Sequence, residues 1–232
     1  MILYAIPTPL GGSPADALPA SALAIVRSLS DFAVENAKSA RAFLSAVGLP
    51  GTMRGLNIVE IEKEKNPAGE KHLLKPLHAG RNLGLLSEAG CPAIADPGAA
   101  LVEAAHREGF RVVPLVGPSS IILALMASGL EGQRFAFCGY LPREKPQRAR
   151  RIRELEQRSR REKETQIFIE TPYRNDALLG ALLDCCQDGT LLCAALDLTL
   201  AGESVRSMAV GDWRRQKPAL GKRPAVFLLY AG

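Results

Sequence analysis

The sequence predicts an α/β protein of two domains, the first carrying a mostly parallel sheet and the second a mixed one. Two observations predict it. From Ile2 to Ser128 short β-type runs alternate with amphipathic helical stretches five times over, the rhythm of strand–helix units that lie parallel under covering helices. Residues 116–232 break that rhythm, with five strand-like runs and only two long helical ones, so some neighbouring strands must return as hairpins. The boundary is placed after Leu115, dividing the chain into 1–115 and 116–232, because motif character and charge both change there.

In the first half, Ile2 to Ile6 is a strand, a breaker-rich turn follows from Pro7 to Pro14, and Ala17 to Leu29 has apolar residues at helical spacing. The same pairing predicts strand Phe32 to Val34 with helix Ala37 to Val47, and Leu56 to Ile61 with Gly69 to Ala79. It continues through Asn82 to Leu86 with Ala99 to Glu108, and Val112 to Leu115 with Pro118 to Ser128. In the second half, strands are expected at Phe135 to Gly139, Thr165 to Glu170, Leu191 to Leu198, Ser204 to Val210 and Ala225 to Tyr230, with helices near 146 to 163 and 174 to 186. Lys63 to Gly69 reads as an exposed loop.

Composition narrows the function classes. With 232 residues, 47% of them hydrophobic and 23% charged, the chain has ample material for a core and is not a disordered sequence. Its longest apolar runs fall well short of the roughly 20 residues that cross a bilayer, and no basic region precedes an apolar stretch at the N-terminus; a cytoplasmic protein is expected. Five cysteines, Cys91, Cys138, Cys185, Cys186 and Cys193, form no C-x-x-C pair, which argues against a disulfide framework or a zinc site. His72, His78 and His106 are scattered without ligand spacing, so no metal is expected.

The net charge of +5 is local. Residues 1–115 hold 11 Lys or Arg against 11 Asp or Glu, and residues 116–232 hold 18 against 13. Most of the excess lies in Arg143 to Lys163, ten basic residues less four Glu, a net +6. Apolar residues occur in Arg148 to Lys163 only at Ala149, Ile152 and Leu155, too thin a stripe for deep burial. Two readings of this helix stand side by side: an electrostatic footprint for RNA phosphates, or a charged surface helix held by internal pairs such as Glu154 with Arg158 and Glu156 with Arg160.

Three loops carry candidate chemistry. Leu83 to Gly98 runs from an apolar strand into a small-residue loop around Gly90, and Asp96-Pro97 has the form of an N-cap followed by a first-turn proline. In open α/β sheets ligands gather at the carboxyl ends of strands, so this is either a ligand loop or an ordinary βα connection. Val116-Gly117-Pro118-Ser119-Ser120 offers free N–H groups and hydroxyls able to hold a carboxylate. The turn Thr8 to Gly12 after the first strand is not a G-x-G-x-x-G fingerprint, and neither a phosphate-binding P-loop nor a nucleophile elbow occurs. Phe137, Tyr140 and Tyr173 read as core aromatics and Trp213 as structural.

Taken in order, Ile6-Pro7-Thr8-Pro9-Leu10-Gly11, Ser87 to Pro92 with Asp96-Pro97-Gly98, Val113 to Ser120, Phe137 to Pro142, Phe168-Ile169-Glu170-Thr171-Pro172-Tyr173-Arg174 and Asp197-Leu198-Thr199 resemble the tetrapyrrole-methylase superfamily. Within it, the branch that methylates a cytidine ribose 2′-oxygen of 16S ribosomal RNA is the most similar. The resemblance implies S-adenosylmethionine as cofactor, two α/β domains with the cofactor in the cleft between them, and a homodimer. It carries cofactor-pocket roles onto Pro9, Ser87, Ala89, Gly90, Cys91, Pro92, Ser119, Ser120, Thr171, Pro172, Tyr173, Leu196, Asp197, Leu198, Pro224, Ala225 and Val226. Glu35, Glu88 and Glu170 are the carboxylates on matching segments and the candidates for catalytic roles.

The chain departs from the ribosomal branch where substrate would be read. That branch has an Ala-Glu-Asp-Thr-Arg-like run where this chain has Val34-Glu35-Asn36-Ala37-Lys38, Asp and Thr where it has Glu88 and Cys91, and a Ser-x-His-Arg-like run where it has Thr171-Pro172-Tyr173-Arg174. Three functions follow: ribose 2′-O-methylation of ribosomal RNA, methylation of a tetrapyrrole-like small molecule, and a non-catalytic cofactor-binding interaction protein.

Overall fold

The computed structural model describes residues 1–49, 53–61, 72–216 and 218–232. The chain divides into two compact units, Met1–Ser119 and Ser120–Gly232, so that Val116 to Ser119 lie with the first unit rather than the second. Among the described residues no helix is long and apolar enough to cross a membrane, no group of three or more His, Cys, Asp or Glu could hold a metal ion, and all five cysteines are free.

The first unit is a five-stranded parallel sheet in the order β3-β2-β4-β1-β5, made of β1 Ile2–Ile6, β2 Asp31–Val34, β3 Asn57–Glu60, β4 Leu83–Leu86 and β5 Arg111–Pro114. The inner strands β2 and β4 are buried at every position, and apart from Asp31 at the start of β2 they read as apolar runs. Alternate residues feed two cores. Ile6, Phe32, Val34 and Leu86 pack against α1 Pro14–Ala17, α2 Ala20–Arg27 and α3 Ala37–Val47, while Leu3, Ala33, Leu83 and Leu85 pack against α4 Lys75–His78 and α5 Ala99–Arg107. The helix expected over Ala17 to Leu29 is broken, because Pro19 cannot donate the bond a continuous helix needs there and instead precedes α2 as its cap. Asn36 opens α3 by accepting from the Lys38 and Ser39 amides at 2.9 and 3.2 Å. Of the helix expected over Gly69 to Ala79, residues 69–71 lie outside the described residues, as does the loop expected at Lys63 to Gly69.

The second unit is a mixed sheet in the order β6-β7-β10-β8-β9, built from β6 Phe135–Tyr140, β7 Thr165–Glu170, β8 Leu191–Leu196, β9 Ser204–Ala209 and β10 Ala225–Tyr230. Only β6 and β7 run parallel; β7 with β10, β10 with β8, and β8 with β9 are antiparallel. The helices are α6 Ser120–Ser128, α7 Lys145–Glu162, α8 Asn175–Cys185 and α9 Val210–Gln216. The last begins where the sequence predicted the end of a strand. It buries Trp213 completely, with its indole N–H donating to the Leu192 carbonyl at 2.8 Å. Phe168, Phe227, Leu178 and Leu182 fill the same core.

Helix α7 is solvated on its outer face, yet it seats on the core through Ile152 and Leu155, each 1% exposed. Of the two expected ion pairs, Glu156 with Arg160 is present and Glu154 takes other partners than Arg158. Glu154 accepts from Arg150 at 2.9 Å and lies within 3.5 Å of Arg151, Arg158 reaches Glu164 at 3.0 Å, and Glu156 is 4.0 Å from Arg160. Glu156 is itself buried and takes hydrogen bonds from the Gln187 amide and the Thr190 hydroxyl.

Candidate functional site

In the first unit the strand order itself points to one end of the sheet. From β1 the chain crosses to β2, and from β4 it crosses to β5, so the adjacent strands β1 and β4 send their connections in opposite directions. Loops that part in this way open a crevice at the carboxyl ends of the strands. Here the two loops are pinned together: Thr8 and Gly90 exchange backbone hydrogen bonds of 2.9 and 3.0 Å, the Thr8 hydroxyl donates to the Ser87 carbonyl, and the Ser87 hydroxyl donates to the Gly90 carbonyl, both at 3.3 Å. The Cys91 thiol donates to the Pro118 carbonyl at 3.5 Å. The structure therefore brings together Pro9, Ser87, Ala89, Gly90, Cys91, Pro92 and Ser119 at one sheet end.

Acidic residues border this end. Glu35 follows β2, its amide donating to the Leu86 carbonyl at 3.0 Å, and its carboxylate accepts from the Glu88 amide at 3.0 Å. Glu88 in turn accepts from the Ser39 hydroxyl at 3.3 Å. Asp96 joins them, and its part differs from the expected one. Gly98, not Asp96, stands before α5, at φ 125°, with no side chain capping the helix; only glycine takes that backbone conformation without strain. The Asp96 carboxyl, half-buried, is instead pushed up to about 6, first by burial and then by the charges of Glu35 and Glu88. At the opposite end of the sheet Asp31 behaves in the contrary way: Arg81, at 2.9 Å, holds its carboxyl below the usual range.

In the second unit the remaining predicted residues converge on one end of the mixed sheet. Glu170, Ala225 and Leu196 are partners in register across β7, β10 and β8, and the Asp197 amide donates to the Pro224 carbonyl at 3.0 Å. Thr171, Pro172 and Tyr173 continue from β7 in a turn closed by charge. The Glu170 carboxylate accepts from the Thr171 amide at 2.7 Å and from Arg174, whose Nε also donates to the Thr171 hydroxyl at 3.2 Å. Asp197 pairs with Arg223, and Leu198 is buried beside it. Glu170 Oε2, Arg174 Nη1 and Asn175 Oδ1 are buried with no hydrogen-bond partner among the described residues. Ser120 opens α6 in this unit, and Val226 is buried in β10. Tyr173, expected in a core, is 80% exposed with the Lys222 ammonium 5.4 Å from its ring centre, and Tyr140 is 57% exposed.

Backbone strain marks the same two places. Five described non-glycine residues have positive φ: Ala93 and Ala95 in the loop after β4, Asp197 and Thr199 in the loop after β8, and Lys163 at the end of α7. Left-handed alanine or threonine costs about 1 kcal/mol or more and persists where surrounding contacts hold it. Sequence reasoning had no signal for these positions, since neither alanine announces a left-handed backbone. Two grooves are lined by other residues: one of about 680 Å³ by residues including Asp176, Leu183 and Arg214, and one of about 340 Å³ by residues including Phe32, Asn57 and Arg81.

Comparison with known proteins gives this geometry its class. The family model described as tetrapyrrole (corrin/porphyrin) methylases matches residues 60–212, and the chain belongs to that family. Among curated proteins it is similar to ribosomal RNA small subunit methyltransferase I of Vibrio cholerae, 32% identical over 91% of this chain and 69% of that one. The protein of the same name from Mesorhizobium japonicum is 34% identical over 88% and 66%. The match to the Halalkalibacterium halodurans protein, 32% identical over 78% of this chain, spans only 59% of that relative's length. Among solved structures, diphthine synthase has a TM-score of 0.66 at 16% identity, covering 99% of this chain and 89% of that one. The uroporphyrin-III-C-methyltransferase of Thermus thermophilus has a TM-score of 0.56 at 20% identity, covering 99% and 94%. These establish the shared fold.

Proposed function

We propose that the protein transfers a methyl group from S-adenosylmethionine to a ribose 2′-oxygen of ribosomal RNA in the cytoplasm, acting as a homodimer. The observation that carries this reading is the 32% identity to ribosomal RNA small subunit methyltransferase I over about nine tenths of the chain. The cofactor's sulfonium supplies an activated methyl group with a good leaving group. The residues present fit such a molecule: its ammonium, ribose hydroxyls and exocyclic amine are donors, and the second unit holds buried acceptors without partners at Glu170 and Asn175 beside the residues assigned to it.

Most of the remaining catalysis is alignment. The Thr8–Gly90 bridge fixes the first unit's loops, and the Glu170–Arg174 pair fixes the turn bearing Thr171 to Tyr173, which makes Glu170 a positioning residue. A ribose hydroxyl must also lose its proton, and Glu35, Glu88 and Asp96 form the acidic border able to accept one. Asp96 suits the task best, because a base with a proton affinity near 6 is ionised at neutral pH yet holds a proton more strongly than an ordinary carboxylate. The departures at Glu88, Cys91 and Pro172 fall within these same elements, and Asn36 follows Glu35 as the cap of α3.

The test is methyl-labelled cofactor with the full chain and small ribosomal subunits from a strain lacking the gene. Label in a ribose of the RNA is the expected result. Label in a porphyrinoid from extract assigns the small-molecule activity instead, and cofactor binding without any labelled product assigns a non-catalytic role; either overturns the reading.

A further inference from the structure

Helices α7 and α8 enclose a groove of about 450 Å³ on the second unit, lined by none of the residues assigned to the cofactor. Lys145, Arg148 and Arg153 line it from α7, and Asp184 lines it from α8, over a floor of small residues that includes Gly180 and Ala181. Three cations against one carboxylate leave the groove positive. The amino end of α7 adds to this, since Glu144 makes no side-chain capping bond and the first turn holds no acidic residue; the helix dipole is positive there.

Arg148 is the unusual member. It is 6% exposed, and arginine is almost never buried so deeply without a carboxylate. Among the described residues it has no ion pair: Nη1 donates to the Arg143 carbonyl at 3.4 Å, and Nε is buried with no acceptor. An orphaned donor of this kind in a native site calls for a missing partner. The free Nε edge of a guanidinium is the planar fork that grips a phosphate or carboxylate through parallel hydrogen bonds. Glu156 is taken up by Gln187 and Thr190, Glu154 by Arg150 and Arg151, and Asp184 alone faces three cations.

We propose that this groove binds a backbone phosphate of RNA, with Arg148 as its fixed centre and Lys145 and Arg153 as its mobile rim. RNA is favoured over a free phosphate ester because the groove lies on a 21-residue stretch of net charge +6, which suits a polyanion. The proposal rests on the reading that the methyl acceptor is RNA, and sharpens it: the basic stretch is a defined phosphate seat together with a paired outer face, rather than a uniform cationic surface.

The experiment uses the full chain and two double variants of equal charge change. Lys145→Ala/Arg153→Ala removes the exposed rim. Arg150→Ala/Arg161→Ala removes two arginines whose side chains are 83% and 74% exposed and do not line the groove. Binding of a fluorescent ten-nucleotide RNA is followed by anisotropy across a salt series, and the arginine Nε–H resonances are followed during titration with the RNA and with inorganic phosphate. The Arg148 signal is assigned with Arg148→Lys. The rim variant should lose about tenfold in affinity and flatten the log–log salt slope by roughly 1.4, two single-strand phosphate contacts. The control pair should lose less than threefold, and the Arg148 Nε–H should shift with both ligands. If both variants lose affinity equally and Arg148 does not shift, the groove is overturned while the RNA reading stands. If only inorganic phosphate shifts Arg148 and the RNA does not bind, the groove serves a small phosphate and both the RNA seat and the RNA acceptor fall. If neither ligand shifts Arg148 and the RNA still becomes methylated, only the groove is lost.

Discussion

The two units bring candidate site residues to the end of a sheet by different means. In the first, parallel strands end in loops held by backbone hydrogen bonds, Thr8 with Gly90 and Glu35 with Leu86, and the acidic border adds only the bonds that Glu35 takes from the Glu88 amide and Glu88 from the Ser39 hydroxyl. In the second, a mixed sheet ends in turns held by partly buried ion pairs, Glu170 with Arg174 and Asp197 with Arg223. Backbone-held loops leave their side chains available for chemistry. Charge-held turns commit theirs to geometry. On this contrast the carboxylates of the first unit are the proposed groups for proton transfer, and Glu170 is the proposed positioning residue.

The largest effect expected from the contrast is at Glu170. Its side chain is 1% exposed and that of Arg174 is 25% exposed. Truncation to alanine leaves a mostly buried guanidinium without its partner and removes the acceptor for the Thr171 amide, so Glu170→Ala should destabilise the protein by about 3 kcal/mol. Chemical denaturation measures it. Glu170→Gln keeps an acceptor and should lose less. Equal losses for the two variants would show that the charge does not hold the turn.

In the first unit a comparable disruption must come through the backbone. A Cβ on Gly117 would lie 2.5 Å from Pro7 Cβ and 2.8 Å from Leu18 Cδ2, so the loop after β5 approaches the loop after β1 too closely for any side chain. Gly117→Ala should therefore cost about 2 kcal/mol, the scale of overpacking, and weaken cofactor binding by displacing the turn that carries Ser119. Calorimetry with and without S-adenosylmethionine separates the two losses. A variant as stable as the parent would mean that the loop yields, and that the backbone does not hold it.

Much of this was legible in the sequence, and what was not has physical reasons. Period-two and period-3.6 patterns located β1, β7, β10 and α3 to the residue, because their apolar faces are uninterrupted. The short helix α9 was hidden, since Val210 reads as the last residue of a strand and its one large apolar anchor, Trp213, sets no period. Asp96-Pro97 has the composition of a helix start, yet the chain turns once more and Gly98 takes the place before α5. Arg148 illustrates the general limit. A pattern that scores arginine as solvated cannot see one buried without a carboxylate, and ion-pair partners such as Arg158 with Glu164 are chosen by the fold rather than by helical spacing alone.

The smaller effects fall on the acidic border, where the sign of the pH dependence is diagnostic. Asp96 has a folded-state pKa of about 6 against an ordinary value of 3.8. Between these values the folded protein retains a proton that the unfolded chain has released. The contribution of Asp96 to stability therefore rises as pH falls from about 6 toward 4, and above pH 6 its charge is a net penalty. Asp96→Asn removes that penalty, so the variant should melt above the parent at pH 7 to 8, with the two curves converging toward pH 4. It should also lose methyl transfer if Asp96 accepts the ribose proton. Glu35→Gln, which keeps an acceptor for the Glu88 amide, should lower the midpoint of the Asp96 titration by removing only one of its causes. That shift, read by carbon-detected NMR of the side-chain carboxyl, is smaller than the change expected from burial, the first of the causes. Parallel melting curves for the parent and Asp96→Asn across this range would show that the border is solvated, and the contrast between a chemical first unit and a scaffolding second one would lose its electrostatic basis.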